Sequence, residues 1–244
     1  MIEIDVPGGR AEAWLSRPAE TPAPGVLLYM DAIGLRPQIS AIADRIASWG
    51  CTVLAPNVFW RDGRTDQLAP TGDLREPGAR DAFFAEVGPR IASLAGGRTL
   101  ADIDAYVGAL RALEEVAPGP IGVTGYCMGA RLAVRTAARH EDVAACGGFH
   151  GGNLVTEAED SPHRGLPTAR AEFVFGHADG DRSMSPEAVE ALGVALTEAG
   201  LAHSNEIYPG APHGYVMADT SMYDEAGAER HYSELRELLE RTLQ

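Results

Sequence analysis

At 244 residues and 45% hydrophobic side chains, the chain can bury a substantial core, and an α/β fold of this length fits one domain over residues 1–244. Its formal net charge is −15, and all 20 of its basic residues are arginines. A surface so acidic repels phosphate backbones and anionic lipid, which excludes nucleic acid and membranes as expected partners.

The first residues, Met1 to Leu15, carry neither a basic leader nor an apolar h-region, so no signal peptide is expected. Alternating residues over Ile2–Val6 and Ala11–Leu15, split by Pro7-Gly8-Gly9, predict an antiparallel hairpin. Gly25–Met30 is an apolar run suited to a central strand and far too short to span a bilayer. Ile39, Ile42, Ala43, Ile46 and Trp49 keep helical spacing up to Gly50, and Cys51–Ala55 resumes as strand. From Phe59 to Pro77 the chain is polar and broken by glycine and proline, which predicts a loop. Helices are expected over about residues 79–94 and 100–117, then a strand at Ile121–Thr124 and a helix from Met128 to Arg139. Strands at 144–149, 171–175 and 203–208 alternate with helices at 186–199 and 223–243. Such alternation predicts a mostly parallel central sheet with helices on both faces.

The chemistry concentrates at Thr124-Gly125-Tyr126-Cys127-Met128-Gly129, where an apolar strand runs through G-x-C-x-G into a helix. This is a nucleophile elbow with cysteine in the serine position. The turn lifts Cys127 above the sheet and sets it at a helix N-terminus, where dipole and N–H groups favour a thiolate. The Met128 N–H then faces the oxyanion of an acyl transfer. A buried cysteine in a glycine-rich turn is the plainer reading, and it leaves the ordered strand, glycines and helix unexplained. Cys51 and Cys146 sit in apolar strands and read as core. Three cysteines with no C-x-x-C pair suit a reducing compartment, which points to the cytoplasm.

In folds with this elbow the acid and then the histidine follow in the chain. His213 lies in the turn-rich Pro209-Gly210-Ala211-Pro212-His213-Gly214 segment after the last strand and is the expected base. Phe173-Val174-Phe175-Gly176-His177-Ala178-Asp179-Gly180-Asp181 is a strand ending in acids. Asp179 is favoured by its place at the strand end, with Asp181 as the alternative. There is no H-E-x-x-H, P-loop or dinucleotide fingerprint, and the histidines lack ligand spacing, so neither metal nor cofactor is expected.

GYCMGA, GHADGD and APHGY, in that order, resemble the dienelactone hydrolase (carboxymethylenebutenolidase) family, and the likeness covers nearly the whole chain. The resemblance implies an α/β-hydrolase fold and a Cys–His–Asp triad hydrolysing a small-molecule lactone or ester without a cofactor. It also implies a second oxyanion donor after the Gly25–Met30 strand, at Ala32, and an acid at Asp31 that assists the thiolate where the family has glutamate. Family members grip a substrate carboxylate with arginines, for which Arg61 and Arg80 are the candidates. Tyr126, Trp60 and His150 are candidate pocket walls. A carboxylesterase or thioesterase with the same triad, or a noncatalytic binding module, are the rival readings. A monomer or small homo-oligomer is expected.

Overall fold

The computed structural model describes residues 1–94 and 97–244. The hairpin forms where the alternation places it, with β1 (Ile2–Val6) antiparallel to β2 (Gly9–Ser16). β3 (Gly25–Tyr29) leads to α1 (Pro37–Ala47), which buries the Ile39, Ile42, Ala43 and Ile46 stripe that its spacing marked. β4 (Thr52–Pro56) follows. The polar stretch expected as loop holds one short helix, α2 (Thr65–Leu68), before α3 (Ala79–Ser93).

α4 (Gly97–Arg111) ends earlier than its periodicity suggested. Beyond it the Ala117 N–H donates to Ala23 O at 2.8 Å, so this segment is drawn onto the chain entering β3. β5 (Ile121–Tyr126) then enters α5 (Met128–Arg139), and β6 (Val143–Phe149) follows. A 3-10 turn over Pro162–Thr168, which carries two prolines and no clear periodicity, went unread in the sequence. β7 (Glu172–Ala178), α6 (Pro186–Glu198), β8 (His203–Tyr208) and α7 (Glu225–Leu243) complete the chain.

All eight strands join one sheet in the order β1-β2-β4-β3-β5-β6-β7-β8. β2 pairs antiparallel with β1 and β4, and every later pairing is parallel. β3, β4 and β5 are buried along their whole length, which explains why they read as continuous apolar runs instead of alternating ones. Two buried polar ties lock helices to the centre of the sheet. Tyr29 Oη and Thr136 Oγ1 lie 2.8 Å apart, joining β3 to α5. Across the other face, Tyr126 Oη and His231 Nε2 lie 3.0 Å apart and join β5 to α7. The C-terminal ends of β3, β5, β6, β7 and β8 therefore open onto one edge, where ligands bind in sheets of this kind. No helix among the described residues is long and apolar enough to cross a membrane.

Candidate active site

Cys127 sits between β5 and α5 with φ 54° and ψ −119°. A side chain in the left-handed region costs about 1–3 kcal/mol and persists only where the surroundings fix it. Here the surroundings demand glycine on either side. A Cβ on Gly125 would stand 2.1 Å from Gly129 O, and one on Gly129 would stand 2.5 Å from Met30 O. The same close approach brings the end of β3 against the elbow. The Cys127 N–H donates to Phe149 O at 3.1 Å, so Cys127 stands beside the end of β6.

His213 arrives from the loop after β8, and its Nε2 lies 3.1 Å from Cys127 Sγ. Its Nδ1–H donates to Asp181 Oδ2 at 2.6 Å. Asp181 is held in turn by the Ser183 N–H at 2.8 Å and the Ser183 hydroxyl at 2.7 Å. Burial pushes the imidazole down, but the adjacent Cys127 sulfur and the Asp181 carboxylate outweigh it and raise His213 to about 10. Burial pushes Asp181 up, and the hydrogen bond from His213 more than reverses this, leaving the carboxyl below its ordinary range.

The acid beside His213 is thus Asp181, and the expectation of Asp179 is corrected. β7 runs on to Ala178, so Asp179 is the first residue past the strand, and its carboxylate accepts the Gly210 N–H at 2.9 Å. The Asp179 N–H donates to Ala211 O at 2.8 Å. Asp179 therefore stitches the turn after β7 to the loop that carries His213. Asp181, after the turn, is the acid whose side chain reaches the imidazole. Its signal in the sequence was Ser183 two residues on, the spacing at which an aspartate accepts from a following N–H.

Asp31, Ile33, Arg80, Phe84, Cys127, His150, His213, Gly214, Met217 and Thr220 line a narrow recess with a cavity volume of about 10 Å³. A wider hollow of about 690 Å³ lies elsewhere, around Arg135, Asp160 and Arg164, and contains none of these groups. The Ala32 N–H, in the turn after β3, and the Met128 N–H, in the first turn of α5, take no part in the hydrogen bonds of the described backbone. Both residues are buried, and a free N–H in a helix's first turn is the usual donor to an anion.

Asp31 does not direct its hydrogen bonds to Cys127. Its carboxylate is bound by Arg36 at 2.6 and 3.1 Å and by the Ile33 N–H at 3.1 Å. Arg36, which the sequence reading missed, also pairs with Asp219 at 2.5 Å. One methylene shorter than glutamate, Asp31 is satisfied by its own loop. Its only advance sign was the Arg36-Pro37 entry into α1.

Of the two candidate arginines, only Arg80 lines the recess, with its guanidinium 4.7 Å from the Phe84 ring centroid. Arg61 pairs with Asp102 and lies 3.9 Å over the Trp60 ring, so both Arg61 and Trp60 serve the packing of the N-terminal hairpin side. Tyr126 is buried and points its hydroxyl at His231, away from the recess. His150 does line the recess, 5.4 Å from His213 between ring centroids.

The profile of the dienelactone hydrolase family matches residues 11–243. The chain belongs to the dienelactone hydrolase family. Like the family, it is a hydrolase of ester or lactone bonds, built on the α/β-hydrolase fold. It is 32% identical over 152 residues to a carboxymethylenebutenolidase of a Pseudomonas species, an alignment covering 62% of this chain and 59% of that one. Among solved structures, it resembles a dienelactone hydrolase-like promiscuous phosphotriesterase from metagenomic libraries (TM-score 0.80, 19% identity, covering 100% and 98% of the two chains). It also resembles a dienelactone hydrolase from Anabaena variabilis (TM-score 0.67, 15% identity, covering 100% and 97%). At these identities the solved structures speak for the fold.

Proposed function

We propose that this protein hydrolyses a small ester or lactone by acyl transfer to Cys127, with His213 as the proton carrier and Asp181 as its orienting acid. The observation that carries this reading is the unbroken chain from sulfur to imidazole to carboxylate, at 3.1 and 2.6 Å.

The raised basicity of His213 keeps its imidazole protonated beside the Cys127 sulfur, which acts as the nucleophile in its thiolate form. The thiolate attacks the substrate carbonyl carbon, and the carbonyl oxygen gathers negative charge. In this reading it accepts hydrogen bonds from the N–H groups of Ala32 and Met128. The C–O bond to the leaving group breaks, the leaving oxygen takes the proton from His213 Nε2, and a thioester remains on Cys127. His213, now neutral, removes a proton from water. The resulting hydroxide equivalent attacks the thioester, and the acid leaves as the thiolate and imidazolium are restored. Asp181 keeps the Nδ1–H tautomer throughout and stabilises the charged ring.

Arg80 adds a guanidinium to the lining of the recess, which suits a substrate bearing a carboxylate. Cys127→Ala is expected to lose all measurable hydrolysis of dienelactone and of p-nitrophenyl acetate while keeping its circular-dichroism spectrum and melting temperature. An active Cys127→Ala protein would defeat the mechanism.

A further inference from the structure

His150 follows β6 directly and takes φ 38°, held there by its N–H, which donates to Gly176 O at 2.8 Å. Its side chain is fully buried, yet neither Nδ1 nor Nε2 has a hydrogen-bond partner in the protein. A buried polar atom left without a partner costs about 1–3 kcal/mol, and such atoms are rare in native proteins. The ring is wedged edge-on against Tyr215, 5.1 Å between centroids, and against His213. It forms part of the wall of the recess that also holds Cys127. Burial, with the nearby His213 and Arg80 adding to it, drives the imidazole far below its ordinary basicity. His150 is therefore neutral, with one N–H to donate and a free nitrogen to accept.

A cysteine nucleophile creates a particular need at this place. In the tetrahedral intermediate the sulfur is a far better leaving group than an alkoxide, because a thiol is the stronger acid. Unless the departing oxygen is stabilised, the intermediate collapses backwards and expels the thiolate. The carbonyl oxygen faces the Ala32 and Met128 N–H groups, so the leaving oxygen must turn towards His213, which supplies its proton. The His150 ring packs against His213 there, 5.4 Å between centroids.

We propose that the neutral His150 ring donates a hydrogen bond to the leaving-group oxygen of the substrate, biasing the intermediate towards acyl-enzyme. This rests on the acyl-transfer reading above. No atom changes hands at His150: its N–H remains on the ring, and the leaving oxygen takes its proton from His213. That hydrogen bond matters most where the leaving oxygen is most basic, so the class of substrate favoured is an ester or lactone whose leaving oxygen is an alkoxide and not a stabilised phenolate.

The test is a series of acetate esters whose leaving groups run from ethoxide through trifluoroethoxide and phenoxide to p-nitrophenoxide. It is measured as kcat/KM for the wild-type protein, His150→Phe and His150→Gln. In His150→Phe the ethyl ester is expected to lose roughly 10–100-fold while p-nitrophenyl acetate loses less than about threefold, a smaller effect than removal of a full oxyanion donor. His150→Gln, which retains an N–H donor, should recover part of the alkyl-ester rate. An equal loss across the series, or no loss on any ester, would overturn the proposal. If His150→Phe fails to fold, the Gln variant decides: a uniform factor across leaving groups refutes the role. Should the wild-type protein hydrolyse none of these esters, the acyl-transfer reading itself fails, a result distinct from a flat leaving-group dependence.

Discussion

Replacing Asp181 with asparagine removes a charge and keeps the shape, which isolates what the carboxylate does for His213. The two groups meet at 2.6 Å, with the Asp181 side chain 6% exposed. At an effective dielectric near 20, a pair of charges at that distance attracts by at most ~6 kcal/mol, part of which is offset by desolvation. An asparagine retains one hydrogen bond to the ring but can also present its NH2, which selects the wrong tautomer. A net loss of about 3–5 kcal/mol in transition-state stabilisation follows, and at ~1.4 kcal/mol per decade this is roughly 10²–10⁴-fold in kcat/KM. Asp179→Asn, by contrast, still offers an oxygen to the Gly210 N–H, and its kcat/KM is expected to stay within about threefold of wild type. Both variants are assayed on p-nitrophenyl acetate, with circular dichroism confirming the fold. If Asp179→Asn proves the more damaged of the two, the assignment of Asp181 is refuted.

The raised basicity of His213 sets a pH dependence. Its folded value of about 10 lies above the ordinary 6.5, so the ion pair's stabilisation is fully present below pH 6.5 and is lost as pH rises through about 10. Hydrolysis should therefore hold its rate well past neutrality and fall as pH rises through about 10, where His213 loses the proton that the leaving group takes; a fall centred near 6.5 would contradict this. Arg36→Met should destabilise the fold, because it leaves the Asp31 carboxylate buried without its cation. Breaking a buried pair from one side costs about 3–5 kcal/mol, and for a chain of this size each kcal/mol lowers the melting temperature by about 2–4 °C. Calorimetry is expected to show a fall of roughly 6–20 °C, and an unchanged melting temperature would mean that the pair carries no stability.

The placing of Cys127 on the elbow and of His213 in the loop after β8 was legible because each is announced by its backbone setting. Gly125 and Gly129 are imposed by atoms 2.1 and 2.5 Å from where a Cβ would stand, so the elbow is written in the sequence as an unavoidable pattern. The alternation of β1 and β2 and the apolar runs of β3 to β5 are likewise direct prints of one-sided and two-sided burial. The carboxylate beside His213 was less legible, because Asp179 and Asp181 differ only in how a turn of three residues rotates them. Asp31 was misjudged since its partner, Arg36, is five residues away in a loop with no periodic signal. Arg61 and Arg80 are chemically identical in sequence. Only the packing of Arg61 onto Trp60 and Asp102 separates a structural arginine from one at the recess. The early end of α4 came from a long-range bond to Ala23, which local propensity does not encode.

The central claim is a covalent bond to one sulfur, and two other thiols provide an internal control, since Cys51 and Cys146 are buried. Acid quenching during steady-state turnover of p-nitrophenyl acetate, followed by intact-mass and peptide analysis, is predicted to find a single acetyl group on Cys127, labile to hydroxylamine. Continued turnover with no adduct, or with the acetyl group on any other residue, would contradict the account.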